Sequence, residues 1–553
     1  MHPEPVRRRT IEALVSANTM KSLPVLDITI IILYLLAMVL VGFYFSRKNK
    51  NSTQFTTASG AIPGWAIGLS IYATFLSSNT FLGVPGKAFG TNWNSFVFSL
   101  SMPFAAWIAS KYFVPFYRST GEVSAYTHLE KRFGPWARTY AVICFLLTQI
   151  ARMGSIFFGI ALSLQALIGY PMQTIMVIMG ACIILYTVLG GMEAVIWTEV
   201  VQGIIKTVGA VLILFLIVSK MGGVSRIVEI ASANHKFSLG SFSPDFTQAT
   251  FWVILFYGFF INLNNFGMDQ NYIQRYHTAK SSKQASKSVW MCVWLYVPAS
   301  LVFFIIGTSL FAYYQAHPAL IETVKQQAAA DKLGVHASAS EITLLASRLQ
   351  PADYGDKVMP NFMVTNIPTG LLGLIISALL SAAMSTISSG MNASATVFTM
   401  DIYKRYFKKD LTEKGNFFML HLATIVFGVL GLFAGIGMIG VKSLLDAWWQ
   451  LSGIFAGGML GLFLLGIISR RTKSAEAFTA VLIGVVVILW MTLSVNLPAN
   501  YGFLRNPLNN NMVIVIGTLT IFLSGLVLTA RKRKLALELS TDERNAEHLK
   551  IVK

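Results

Sequence analysis

Hydroxyl and amide side chains recur at helical spacing inside an otherwise apolar stretch around residue 385. The segment SAAMSTISSGMNAS (residues 381–394) places Ser385, Ser388, Ser389 and Asn392 at positions i, i+3, i+4 and i+7. On a helix these positions share one face. Their oxygen atoms are hard ligands that suit a hard cation. The same stripe would equally allow close helix packing, because small residues let two backbones approach each other.

Polar residues also interrupt two other apolar segments. Residues 68–90 read GLSIYATFLSSNTFLGVPGKAFG, and residues 258–276 read GFFINLNNFGMDQNYIQRY. Paired interruptions of this kind are typical of transporters with inverted repeats, in which unwound backbone near the middle of the membrane binds ions and solute. The alternative is a pair of polar helices that pack face to face.

The composition indicates an all-α protein that crosses a lipid bilayer many times. Of the 553 residues, 54% are hydrophobic and only 12% are charged, whereas soluble proteins have about 25% charged residues. About thirteen stretches are long enough to cross a hydrocarbon core of about 30 Å. These predicted spans are 25–46, 62–85, 93–116, 139–168, 171–189, 194–219, 250–275, 287–314, 366–400, 416–440, 444–469, 476–497 and 511–530.

Basic residues are concentrated in alternate connections and therefore predict the orientation of the chain. The cluster assigned to the connection after the seventh span is Arg275, Lys280, Lys283 and Lys287. By the positive-inside rule, the C-terminus is cytoplasmic and the first span enters from outside. The arginines at residues 7–9 oppose this orientation, which raises Met20 as an alternative start. The net charge of +19 is thus explained by a multi-pass protein of the cell membrane, without a nucleic-acid partner.

Three motifs resemble the sodium/solute symporter family, and the resemblance extends along almost the whole chain. They are YTVLGGMEAVIWTEVVQG (186–203), SAAMSTISSGMNASATVFTMDIYKR (381–405) and GIFAGGMLGLFLLGII (453–468). The resemblance implies a five-plus-five inverted-repeat core with broken first and sixth core helices, and solute uptake driven by a sodium gradient. The implied divisions are an N-terminal extension (1–23), a leading helix (24–50), a first repeat (51–219), an extracellular loop (220–249), a second repeat (250–469) containing an external loop (316–365), trailing helices (470–530) and a cytoplasmic tail (531–553).

Two sodium sites follow from this resemblance. Site 1, between the first and eighth core helices, matches Ala73, Leu76, Ala382, Ser385 and Thr386. Site 2, which only some members use, matches Glu199, Ser388 and Ser389. Glu199 stands where the family usually has the shorter aspartate, so the resemblance is weaker at site 2. Sodium is the only cofactor expected.

Lys206 departs from the family, which usually has an apolar residue at this position. A lysine at the centre of a span costs about 2.5–3.5 kcal/mol on insertion scales, so we expect it to face the helix bundle. Three interpretations remain open. Lys206 is a structural partner of Glu199, or a resident cation that replaces sodium or carries a proton, or a charge that attracts an anionic solute.

Arg152, near the middle of the fourth predicted span, indicates the class of solute. A guanidinium group offers a planar, bidentate match for a carboxylate, although an ion pair with Asp269 or Glu199 would also explain it. In the bacterial sialic acid symporters, which the chain resembles most, an arginine at this place binds the carboxylate of the solute. The positions implied to line the solute site are Phe75, Ser77, Thr80, Ser95, Ser99, Arg152, Asn262 and Asn265.

These features predict a monomeric transporter that imports sialic acid (N-acetylneuraminate) with sodium by alternating access. Another carboxylate, a neutral solute, or a solute sensor on the same fold are the alternatives. An enzyme is not expected, because the eight histidines show neither metal-ligand spacing nor a nucleophile–base pair.

Overall fold

The computed structural model describes residues 23–47, 51–334, 337–441 and 444–551. Residues 7–9 and Met20, and all of the N-terminal extension except residue 23, lie outside the described residues. A leading helix, Val25–Ser46, precedes ten core helices and two trailing helices. The core helices are Gly64–Phe75 with Asn79–Gly90, Trp93–Thr120, Pro135–Ile168, Met172–Lys220 (fourth and fifth), Phe251–Met268 with Gln270–Thr278, Ser282–Ala316, Leu371–Phe407, Glu413–Gly437 and Leu444–Ile468. The trailing helices are Ser474–Leu493 and Met512–Ile551.

The helix lengths account for thirteen membrane spans in the described part of the chain. Eleven helices are long and apolar enough to cross a membrane, and the two halves of the first core helix form a twelfth span. Met172–Lys220 has 49 residues, and a helix of that length extends about 73 Å. It bends at Gly191, whose φ of 58° and ψ of −162° leave the helical region, so it counts as two spans. The predicted polytopic all-α fold is confirmed.

Both predicted helix breaks are present. The halves of the first core helix meet at an angle of 57° across residues 76–78. The sixth core helix breaks at Asp269, which has an extended backbone with φ −79° and ψ 115°. The Asp269 side chain accepts a hydrogen bond of 2.9 Å from the backbone N–H of Asn271. Such a cap favours a new helix start over continuation of the preceding helix, so the polar run in the sequence explains the break.

Glycines let the second half of the first core helix, Asn79–Gly90, pack directly against neighbouring backbone; we call it the outer half, after the predicted orientation. A Cβ atom on Gly86 would lie 2.9 Å from the carbonyl carbon of Gly355, in the short helix Pro351–Asn366. A Cβ atom on Gly307, in the seventh core helix, would lie 2.8 Å from the Cα of Pro85. The external loop predicted over 316–365 contributes the first of these contacts, and it also contains the helices Pro318–Leu333 and Ala339–Arg348.

The leading helix holds the start of the eighth core helix through Asp27. Its buried carboxylate accepts hydrogen bonds from the backbone N–H groups of Gly370 and Gly373, at 2.7 and 2.6 Å. Gly370 is the N-cap of Leu371–Phe407 and Gly373 lies in its first turn, where N–H groups have no partner within the helix. The contact therefore attaches the leading helix to the core.

We expect Asp27→Ala to destabilise the protein by about 1–3 kcal/mol, because buried N–H donors lose their acceptor. The measurement is the midpoint of thermal unfolding of the purified protein. Asp27→Asn is the matched control, since it keeps one acceptor oxygen and should cause a smaller decrease. An Asp27→Ala midpoint equal to that of the wild type would contradict the capping role.

Candidate functional site

A cavity lies beside the break of the first core helix and collects polar and aromatic side chains from several helices. It is lined by Phe75, Ser77, Asn79, Thr80, Val84, Ser95, Phe98, Ser99, Arg152, Tyr257, Ile261, Asn265, Tyr296, Ser300, Phe304, Leu445, Trp448 and Trp449. The structure thus brings together all the predicted solute-site residues except Asn262. The amide nitrogen of Asn262 instead lies 3.2 Å from the hydroxyl of Ser101 and 3.4 Å from the carbonyl of Phe98, facing the second core helix.

Arg152 extends from the third core helix to the cavity wall, where its guanidinium has weak partners. Its Nη1 lies 3.4 Å from Oδ2 of Asp269. Its Nη2 lies 3.2 Å from the hydroxyl of Tyr272 and 3.3 Å from the carbonyl of Thr74. Charge-assisted hydrogen bonds are usually about 2.7–2.9 Å long. Arg152 is buried, but all three of these contacts are longer than the usual charge-assisted hydrogen bond.

Aromatic rings form one side of the cavity around Phe75. Its ring stacks on Tyr272 with a centroid separation of 4.7 Å and lies 5.4 Å from Tyr296. Tyr296 and Ser300 are four residues apart on the seventh core helix, and both line the cavity. The sequence analysis missed this pair, although its i, i+4 spacing of polar groups within an apolar span was a usable signal.

The tenth core helix lines the cavity and contacts the outer half of the first core helix. The ring of Trp449 stacks on Phe98 with a centroid separation of 5.4 Å, and Trp448 lies 5.7 Å from the guanidinium carbon of Arg152. Farther out, Lys87 and Asp446 form an ion pair with an N–O distance of 2.7 Å. These contacts join the tenth core helix to the outer half of the first.

Site 1 is assembled, and a lysine occupies it. The carbonyls of Ala73 and Leu76, where the first core helix breaks, face the eighth core helix. The Nζ atom of Lys206 donates to these two carbonyls at 2.6 and 2.8 Å, and to the hydroxyl of Ser385 at 2.9 Å. Ser385 and Thr386 also lie 3.4 Å from the carbonyl of Ala382. Three of the residues predicted to bind sodium thus accept hydrogen bonds from the ammonium group of Lys206.

Glu199 of site 2 is paired with a residue that the sequence analysis did not assign to the site. The Nη2 atom of Arg275 lies 2.8 and 2.7 Å from the two carboxylate oxygens of Glu199. Ser389 donates to the same carboxylate, as does Ser70. Ser388 instead donates to the carbonyl of Ser385 at 3.2 Å. The basic residue paired with Glu199 is therefore Arg275, and not Lys206.

The position of Arg275 corrects the assignment of this residue to a cytoplasmic connection. Arg275 is only 1% exposed, because Gln270–Thr278 continues into the bundle after the break at Asp269. Its Nε donates to Ser70 at 2.8 Å, and its Nη2 donates to Ser389 at 2.6 Å. Arg275 thus connects the second half of the sixth core helix to the first, fifth and eighth core helices.

Comparisons with known proteins agree with this architecture. The sodium:solute symporter family model matches residues 55–484. A sodium/sialic acid symporter of Proteus mirabilis is 32% identical over 516 residues, which cover 92% of this chain and 96% of the relative. A sodium/sialic acid symporter of Aliivibrio fischeri is also 32% identical, over 88% of this chain and 91% of its own length.

Solved structures share the fold. The substrate-bound, outward-open structure of a Na+-coupled sialic acid symporter superposes with a TM-score of 0.78 at 30% identity, covering 92% of this chain and 98% of that one. A transporter of the nucleobase-cation-symport-1 family superposes with a TM-score of 0.51 at 15% identity, covering 87% of this chain and 96% of that one. The second likeness extends to the fold alone.

Proposed function

The chain belongs to the sodium:solute symporter family, and we propose that it imports a sugar acid whose carboxylate binds to Arg152, with sialic acid as the leading candidate. The observation that carries the proposal is the buried guanidinium of Arg152 on the wall of a cavity beside the helix break. Two relatives with 32% identity are sodium/sialic acid symporters. In this proposal the protein is a transporter of the cell membrane and not an enzyme.

The guanidinium can bind a carboxylate without losing strong contacts of its own. Its three contacts, at 3.2–3.4 Å, are longer than the usual charge-assisted bonds, so turning toward a solute gives up little. Asp269 keeps other partners when Arg152 turns away, since Asn271 donates to it through the backbone at 2.9 Å and through the side chain at 2.7 Å. A bidentate pair with a solute carboxylate would be shorter and stronger than the pair with Asp269.

The remainder of the cavity suits the other parts of a sugar acid. Ser77, Thr80, Ser95 and Ser99 supply hydroxyl groups, and Asn265 supplies an amide. These side chains can exchange hydrogen bonds with the hydroxyls of a sugar. Aromatic rings in the same cavity, among them Phe75 and Tyr296, offer apolar surface for the carbon atoms of the sugar and for an acetyl group. One fixed charge among neutral groups favours a solute with a single negative charge.

Transport follows by alternating access in this proposal. The solute enters when the tenth core helix moves away from the outer half of the first, which requires the Lys87–Asp446 ion pair to separate. The protein then closes around the solute and opens on the opposite side. We retain the orientation given by the basic connections, with a cytoplasmic C-terminus, and a single chain as the working unit.

Uptake into proteoliposomes tests the proposed function. We expect saturable uptake of N-acetylneuraminate that other sugar acids inhibit. The methyl ester of N-acetylneuraminate is the matched control, because it keeps the sugar and lacks the carboxylate charge. It should compete at least about tenfold more weakly, which corresponds to 1.4 kcal/mol. Equal competition by the ester, or uptake of neutral sugars only, would contradict the proposal and favour the neutral-solute alternative.

A further inference from the structure

We propose that the ammonium group of Lys206 is a resident cation that replaces sodium at site 1, so that this protein binds its solute without a sodium ion at that site. The oxygen atoms that the family resemblance assigns to sodium are present and converge. The positive charge among these oxygen atoms is the ammonium group of Lys206.

The hydrogen bonds of Lys206 match an ammonium group held by a cation site. A lysine ammonium has three N–H donors and no acceptor, and Nζ has three oxygen partners at 2.6–2.9 Å. Two of these partners are backbone carbonyls, which only accept, and the third is the hydroxyl of Ser385. All three oxygens are neutral. In this arrangement the lysine is bound as a cation by dipoles, as an alkali ion would be.

The helix packing explains how a residue of the fifth core helix reaches this site. Gly203 lies one turn before Lys206, and a Cβ atom there would lie 3.5 Å from the Cβ of Ala73. The fifth core helix therefore packs directly against the broken first helix at this point. Lys206 is fully buried, and its stem crosses this short gap to the carbonyls of Ala73 and Leu76.

A sodium ion cannot share these oxygens with the ammonium group. Both cations would need the Ala73 and Leu76 carbonyls and the Ser385 hydroxyl, and two positive charges at such short separation repel strongly in a buried site. The Glu199 carboxylate does not offset a second charge, because Arg275 is already paired with it. Site 1 therefore holds one cation, and the covalently attached one is always present at high effective concentration.

The resident charge has a consequence for the coupling between ion and solute. In an ion-coupled site, the ion orders the helix break and thereby raises the affinity for the solute, and the reverse holds equally. Here Lys206 connects the break to Ser385 of the eighth core helix at all times. We therefore expect the solute site to be ordered whether or not sodium is present. This part of the inference rests on the proposed function, because it concerns solute binding.

Binding of radioactive sodium to the purified protein tests the inference without any solute. Thr386→Ala removes a site 1 hydroxyl that Lys206 does not contact. We expect this variant to bind the same amount of sodium as the wild type. Lys206→Ala should gain a saturable sodium site, and the double variant Lys206→Ala/Thr386→Ala should lose it again. Lys220→Ala is the matched control, since it removes an exposed lysine from the end of the same helix and should gain no site.

Binding of N-acetylneuraminate in sodium chloride and in choline chloride gives the second readout. We expect equal wild-type affinities in both salts. Lys206→Ala should bind about tenfold or more tightly in sodium chloride than in choline chloride, which is within the usual range of coupling between two ligands. The inference is overturned if Thr386→Ala reduces wild-type sodium binding, or if Lys206→Ala folds and gains no sodium site. Absence of N-acetylneuraminate binding in both salts would refute the proposed solute, and the sodium measurements would still decide the role of Lys206.

Discussion

The Arg152→Ala variant is expected to lose N-acetylneuraminate binding, with a dissociation constant raised about 100-fold or more. A bidentate contact consists of two hydrogen bonds to a charged group, each worth about 1.5–3 kcal/mol, and about 2.8 kcal/mol corresponds to a 100-fold change. The measurement is calorimetric titration of the purified protein. Arg152→Lys keeps the charge but loses the planar pair of donors, so its affinity should be intermediate.

Asp269→Asn separates a solute-binding role of Arg152 from a structural one. This variant removes the ion pair at 3.4 Å and keeps an oxygen that can accept from Asn271. If Arg152 binds the solute, Asp269→Asn should bind N-acetylneuraminate as tightly as the wild type or more tightly, because the guanidinium is released. If Arg152→Ala and Asp269→Asn lose affinity equally, Arg152 acts as a structural partner of Asp269 and the proposed solute contact is wrong.

The second large effect is expected at Arg275. Removing one partner of a buried ion pair costs about 3–5 kcal/mol, because the other charge remains buried without compensation. Arg275→Met leaves the Glu199 carboxylate buried without its positively charged partner. We expect a large decrease in the midpoint of thermal unfolding of the purified protein. The side chain is 1% exposed, so water cannot replace the guanidinium.

The double variant Arg275→Met/Glu199→Gln provides the control for this prediction. It removes both charges and keeps an amide that can still bond with Ser70 and Ser389, so it should be more stable than Arg275→Met alone. Lys280→Met, on an exposed lysine beyond the same helix, should leave the midpoint unchanged. Equal midpoints for Arg275→Met and the double variant would show that the two charges do not depend on each other.

The membrane spans and the helix breaks were predictable because their signals are local. An apolar stretch of sufficient length forms a span wherever it lies, and a polar run such as residues 262–270 weakens the helix that contains it. Asp269 itself favours the break, because its side chain caps the helix that follows. Such features do not depend on which helix becomes the neighbour.

The partners of Glu199, Lys206 and Arg275 were not predictable, because they depend on tertiary packing. Counting charges places every base after an apolar stretch in a connection, so Arg275 was assigned to the cytoplasm. Glu199 and Lys206 are seven residues apart and share one face of a helix, about 10.5 Å apart along the axis, but this spacing does not show the direction of either side chain. Lys206 extends to Ala73 and Leu76, and Arg275 reaches Glu199 from another helix.

The glycine contacts around the outer half of the first core helix have a mechanical consequence. Gly86 and Gly307 bring its backbone against the helix Pro351–Asn366 and against the seventh core helix. Because these backbones are in direct contact, we expect the loop helix to move together with the half-helix that it touches. We therefore expect a nanobody that holds Pro351–Asn366 in place to inhibit transport.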